Sequence, residues 1–144
     1  MFKIPLALLL PGTLLIQCGR GGHQTSSTTK NPQQTSMQSQ MEKCGFSNFK
    51  PMKAQVNYGS PVLSMPQPAY PATAHGIQGR VVVLLLVNVR SGAVEQACVL
   101  EGDEALASAA KSGGLQVRFE PYSSYIQNKY TYAEEIVKYN FVAQ

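Results

Sequence analysis

Gln67-Pro68-Ala69-Tyr70-Pro71-Ala72-Thr73-Ala74-His75-Gly76 leads through Gly79 into Arg80-Val81-Val82-Val83-Leu84-Leu85-Leu86-Val87-Asn88-Val89-Arg90-Ser91-Gly92. Pro71 suits the first position of a helical turn, because its missing N–H has no partner there anyway. Gly76 ends that turn. Residues 80–90 read as a strand. Their interior is apolar on both parities, which marks a central strand covered on both faces. Ser91-Gly92 is a tight-turn signal between two apolar runs, so 93–100 should return as an antiparallel strand.

Working forward, Gly102 breaks the second strand, and Asp103 can cap a helix. Residues 104–112 carry strong helix formers. Leu106, Ala109, Ala110 and Gly113 fall on one narrow stripe of small side chains, which lets a helix lie close to a sheet. Gly113-Gly114 should terminate it. Residues 115–119 are a short extended piece ending at Pro121, and 122–131 a polar, tyrosine-rich loop. The last strand spans 134–142. Of its two alternating sets, Glu135, Val137, Tyr139 and Phe141 are the more apolar and should face the helices. The order of short helix, strand, strand, helix, strand predicts an α+β, two-layer fold. A small three-stranded antiparallel sheet carries two helices packed on one face.

Working backward, residues 44–63 form an irregular N-terminal arm, its packed character continuing to residue 66. Pro51, Pro61 and Pro66 forbid a long helix there, and a short strand is predicted at 54–58. Thirteen of the 22 residues 19–40 are Ser, Thr or Gln. Such a segment buries too little apolar surface to offset its ordering entropy, so 18–43 reads as a disordered linker. As a flexible coil its ends lie about 25–30 Å apart. Residues 1–17 read as a signal peptide: Lys3 supplies the positive end, and the apolar run to Ile16 is short and interrupted by Pro5 and Pro11. A spanning helix needs about 20 apolar residues. Cys18 follows directly and looks like the acylated cysteine of a lipoprotein, although Gln17 departs from the small residue usual before it. Ordinary signal cleavage within 18–25 is the other reading. If Cys18 is the anchor, Cys44 and Cys98 remain as an even pair in an exported chain, where a disulfide is favoured.

The sequence argues against most chemistries. The net charge of +4 comes from twelve scattered Lys and Arg, without the clustering a nucleic-acid footprint needs. No Cys-x-x-Cys motif occurs and His23 and His75 lie far apart, so neither a metal site nor a cofactor is expected. No serine has a glycine-flanked nucleophile motif, and nothing near His75 would orient it as a base. His75 reads as a surface histidine. Glu134 and Glu135 are neighbours in a strand and point to opposite faces, so they make no carboxylate pair. Glu101, Asp103 and Glu104 are accounted for by capping and the helix dipole. No catalytic residue is assigned, and a non-enzymatic role is expected. Tyr122, Tyr125, Tyr130 and Tyr132 read equally well as a binding surface or as packing around the sheet edge.

In order and spacing, Gln67-Pro68-Ala69-Tyr70-Pro71, Gly79, Gly92 and Arg118-Phe119-Glu120-Pro121 resemble the C-terminal domain of the TonB energy transducers. The resemblance covers about residues 64–143, so the folded domain is taken as 64–144. It implies that the segment with Gln67, Pro68 and Tyr70 contacts a partner, Gln67 being the position carried over. It also implies that the last strand, with Glu135, Val137, Tyr139 and Phe141, offers an edge for an added strand. Val94, Ala97 and Val99 match apolar positions of the second strand, which turns Cys98 to the opposite face. The implied partner is a protein or peptide, in the family the TonB box of an outer-membrane receptor. A homodimer and a structural envelope lipoprotein without a transport role are the competing expectations. The implied location is the periplasm of a Gram-negative envelope, on a membrane through the lipid anchor. The chain departs from full transducers in lacking a long histidine-bearing membrane helix and a Pro-rich spacer, so no proton-motor coupling of its own is expected.

Overall fold

A computed structural model describes residues 32–54 and 59–143. The predicted signal peptide and Cys18 lie outside the described residues, as does nearly all of the strand expected at 54–58. Three strands form the main antiparallel sheet: β2 (Gly79–Asn88), β3 (Val94–Glu101) and β5 (Tyr132–Phe141), in the order β3-β2-β5. The central place of β2 follows from its sequence, since every residue from Val81 to Val87 is at most 1% exposed. Its two parities feed two cores. Val81, Val83, Leu85 and Val87 pack with Leu106 and Ala110 of helix α2 (Glu104–Leu115) on one face. Val82, Leu84 and Leu86 pack with Leu100 and Phe46 on the other.

The strand ends at Asn88, two residues before the sequence reading placed its end. Asn88 Oδ1 accepts hydrogen bonds from the backbone N–H groups of Arg90 (3.0 Å) and Ser91 (3.3 Å) and draws the chain into the turn early. Gly92 sits at φ 70°. A Cβ there would also collide with the Phe119 carbonyl, whose own N–H donates to Gly92 O at 3.0 Å. Thus the hairpin glycine lets the strand β4 (Arg118–Phe119) approach. β4 pairs in turn with β1 (Val62–Ser64) in a separate two-stranded sheet.

Helix α2 starts where expected, with the Asp103 carboxylate accepting from Ala105 N at 2.9 Å. It does not stop at Gly113-Gly114 but runs on to Leu115. Both glycines are buried inside the last turn for closeness rather than for termination. A Cβ on Gly114 would lie 2.9 Å from Leu85 Cδ2, and one on Gly113 2.5 Å from Pro68 Cγ. The loop expected over 122–131 contains a single helical turn, α3 (Ser124–Gln127). One-turn 3-10 geometry spans Ala72–Ala74, opened by Pro71 and closed by His75 and Gly76 at positive φ. Ala74 packs into the same core as α2, so these two helical pieces share one face of the sheet.

The opposite face is covered by the N-terminal arm. The linker reading fails for nearly half of its length, because residues Pro32–Lys43 form helix α1. Its end is pinned by tertiary contact, which outweighs weak helix propensity. Met41 and Cys44 pack beside Phe46, only 2% exposed, on Val82, Leu84 and Leu86. Cys44 and Cys98 are joined by a disulfide, their Cα atoms 5.9 Å apart. As strand parity requires, Ala97 and Val99 meet the α2 side while Cys98 faces the arm.

Candidate functional site

The outer edge of β5 is where the sequence features converge. Met52 crosses the start of this edge as a parallel bridge opposite Ala133. Its N–H donates to Tyr132 O (3.0 Å), and its carbonyl accepts from Glu134 N (2.8 Å). At the far end, Gln67 Nε2 donates to Asn140 O at 3.3 Å. These bonds fix the direction of every group along the strand. In an antiparallel ladder neighbouring residues turn their N–H and C=O alternately to the two sides. The even residues of β5 therefore face outward. The odd residues exchange bonds with β2, Val137 opposite Val83 and Tyr139 opposite Val81.

Side chains follow the complementary rule. Val137, Tyr139 and Phe141 are 6%, 1% and 4% exposed and point into the α2 core. Three of the four strand residues implicated by resemblance thus hold the sheet together, and their side chains are not available to a partner. The outward backbone belongs to Ile136, Lys138 and Asn140. Among the described residues no backbone group pairs with the outward side of Ile136 or Lys138. Strand parity alone would have assigned these residues, once one outward bond was known.

The Gln67 segment lies beside this edge. Gln67, Pro68 and Tyr70 line a shallow groove with Asn140, Phe141 and Val142. Gln67 is exposed. Pro68 rests on Gly113, and Tyr70 is held by donation from its hydroxyl to Ile77 O (2.9 Å). Val142, 71% exposed, supplies an apolar lip. Thus Gln67, Pro68, Tyr70 and the end of β5 are brought together.

The two glutamates at the start of β5 separate as strand geometry demands. Glu135 accepts from the Tyr122 hydroxyl and from Ser60 N (3.2 Å) on the α2 side. Burial first, then this carboxylate, pushes the Tyr122 phenol well above its ordinary range. Burial alone raises Tyr139. Glu134 is 1% exposed, and its Oε1 accepts from Lys53 Nζ at 2.9 Å. The four tyrosines divide. Tyr122 is buried and Tyr130 and Tyr132 are half-buried, whereas Tyr125 is exposed beneath the Lys129 ammonium. His75 is exposed, and Asp103 is engaged in capping. Among the described residues no group of three His, Cys, Asp or Glu could hold a metal ion. No described helix is long and apolar enough to cross a membrane.

No protein-family model matches the chain, and no curated protein matches it. Among solved structures, it is similar to the solution NMR structure of the TonB C-terminal domain of Pseudomonas aeruginosa. The identity is 24% and the TM-score 0.42, over 64% of this chain and 91% of that one.

Proposed function

We propose that this chain is a TonB-like periplasmic protein-binding module. It takes part in transport across the outer membrane by accepting a strand from a receptor partner. The observation that carries this reading is the outer line of β5. The outward backbone groups of Ile136 and Lys138 have no backbone partner among the described residues, and the Gln67 groove lies at the Asn140 end of the same strand. An unpaired edge is a template for strand addition, in which backbone bonds supply affinity and adjoining pockets supply specificity. Gln67 would then set register at the Asn140 end. Anchoring through an acylated Cys18 would hold the module on a membrane.

Hydrogen exchange of the monomer tests this. The amides of Ile136 and Lys138 should exchange quickly and become protected when a TonB-box peptide is added. If they are protected already and the peptide changes nothing, the docking reading fails. A second reading, a structural or dimerising envelope lipoprotein, then gains. It is favoured by the apolar ribbon around β1, where Val62, Leu63 and Met65 are 49%, 61% and 40% exposed.

A further inference from the structure

We infer that the Cys44–Cys98 disulfide is a redox-controlled clip. It holds the arm that carries Met52 onto the β5 edge, and its reduction lengthens that edge for a docking strand. The functional half of this inference rests on the docking reading above; the structural half does not.

The arm is attached at few points. At one end the disulfide ties Cys44 to β3, and Phe46 fills the core beside it. At the other end, Met52 pairs with Tyr132 and Glu134, and Lys53 reaches the buried Glu134 carboxylate. Between them the chain from Ser47 to Lys50 is exposed, although the Phe49 ring stands edge-on to Tyr132 at 5.4 Å, and Lys50 sits at φ 47°, a conformation that non-glycine residues adopt at a cost. A short segment held by one covalent tie and a few side-chain and backbone contacts opens locally more often once the tie is cut. The disulfide is also reachable. Cys44 and Cys98 are half-buried and line an open groove with Lys43 and Lys111, whose ammonium groups favour the approach of a thiolate.

The co-reactant is a dithiol. One of its thiolates attacks Sγ of either cysteine and breaks the S–S bond, and the displaced cysteine thiolate takes up a proton. The second thiol of the reductant, as thiolate, then closes its own disulfide and releases the other cysteine. Both protein sulfurs end reduced and the dithiol ends oxidised. With Cys44 free, the arm loses its covalent tie and keeps only the packing of Phe46 and Phe49 and the contacts of Met52 and Lys53. Its departure would expose the outward groups of Tyr132 and Glu134, extending the accepting edge from the 136–140 stretch to 132–140.

Hydrogen exchange on the full-length chain, before and after treatment with dithiothreitol, decides the matter without any partner. The Glu134 amide, which donates to Met52, should exchange at least about tenfold faster after reduction. The Val137 and Tyr139 amides, which face β2, should stay protected. The Cys44→Ser/Cys98→Ser variant should reproduce the reduced pattern without reductant. An unchanged Glu134 rate would overturn the clip. So would loss of protection along all of β5, which would mean that the bond supports the whole sheet. In parallel, a TonB-box peptide should bind the reduced chain more tightly than the oxidised one. Binding to neither form, with Glu134 still released, would refute the docking reading and leave the clip standing; equal binding to both forms would refute control of docking.

Discussion

Helix α2 meets the Gln67 segment closely where Gly113 packs on Pro68, and Gly113→Ala measures what that contact does. A Cβ on Gly113 would stand 2.5 Å from Pro68 Cγ, 3.2 Å from its Cβ and 3.3 Å from its Cδ. Unstrained carbon contacts lie at about 3.5–4.0 Å. The pyrrolidine ring has no rotamer by which to yield, so the segment must retreat by about 1 Å or more. The Gln67 bond to Asn140 O is already 3.3 Å long and would break. Overpacking of this kind costs about 1–3 kcal/mol. Replacing glycine inside a helix returns about 1 kcal/mol. The net expectation is a loss of about 0–2 kcal/mol. Urea unfolding of four proteins separates the two terms: wild type, Gly113→Ala, Pro68→Ala and the double variant. In the Pro68→Ala background the ring is gone, so Gly113→Ala should stabilise by about 1 kcal/mol. The cycle should then show a coupling of about 1–3 kcal/mol, and the Asn140 environment should change only with the ring present. Equal stabilisation by Gly113→Ala in both backgrounds would refute the idea that this glycine exists to seat Pro68.

Three further outcomes are expected. Loss of the Cys44–Cys98 bond, which spans 54 residues of sequence, should lower stability by up to about 4 kcal/mol in denaturant unfolding; reactive Cys44 and Cys98 thiols in the untreated native chain would contradict the bond itself. The raised Tyr122 phenol keeps its proton in the folded chain at a pH where the unfolded chain, titrating near about pH 10, has lost it. Its contribution is therefore complete below that pH and falls as pH rises beyond it, so Tyr122→Phe should flatten the alkaline limb of the stability curve, and an unchanged slope would exclude the residue. Lys138→Pro removes an outward donor and should abolish strand docking in a peptide titration while the sheet survives, whereas Tyr139→Pro removes a bond to β2 and should unfold the chain; the reverse ranking would invert the assigned edge.

The main sheet was legible because β2 declares itself. Seven consecutive apolar residues between Arg80 and Asn88 admit no half-exposed strand, and a turn at Gly92 forces the return. The disulfide was legible from cysteine parity together with the alternation of Ala97, Cys98 and Val99. What sequence could not show were the features made by distant contact. Gly113 and Gly114 carry the local signature of a helix end, and only Pro68 and Leu85 reveal them as surfaces for close packing. Helix α1 has the composition of a linker, and what fixes its end are Met41 and Cys44 against the sheet. The Met52 bridge leaves no local pattern, because a single parallel pair needs no alternation. For the candidate site, Gln67 and the last strand were named by resemblance, and the structure places the Gln67 amide beside Asn140. The choice between odd and even residues of β5 waited on one outward bond.

That alternation gives β5 two separable duties, and it makes them differently vulnerable. At Val137, Tyr139 and Phe141 both the side chain and the backbone are committed inward, to α2 and to β2. At Lys138 and Asn140 the side chain is exposed and the backbone faces away from the sheet. Exposed side chains there can vary without touching the core, and strand addition through backbone groups would tolerate the variation. A change of length is another matter. Deleting one residue between Ala133 and Val137 would shift the remainder by one position and exchange the two sets. Lys138 and Asn140 would then be driven against α2, and Tyr139 and Phe141 toward the arm. The edge and the core are thus specified by the same count of residues, so β5 can drift in sequence at its outward positions but not in register.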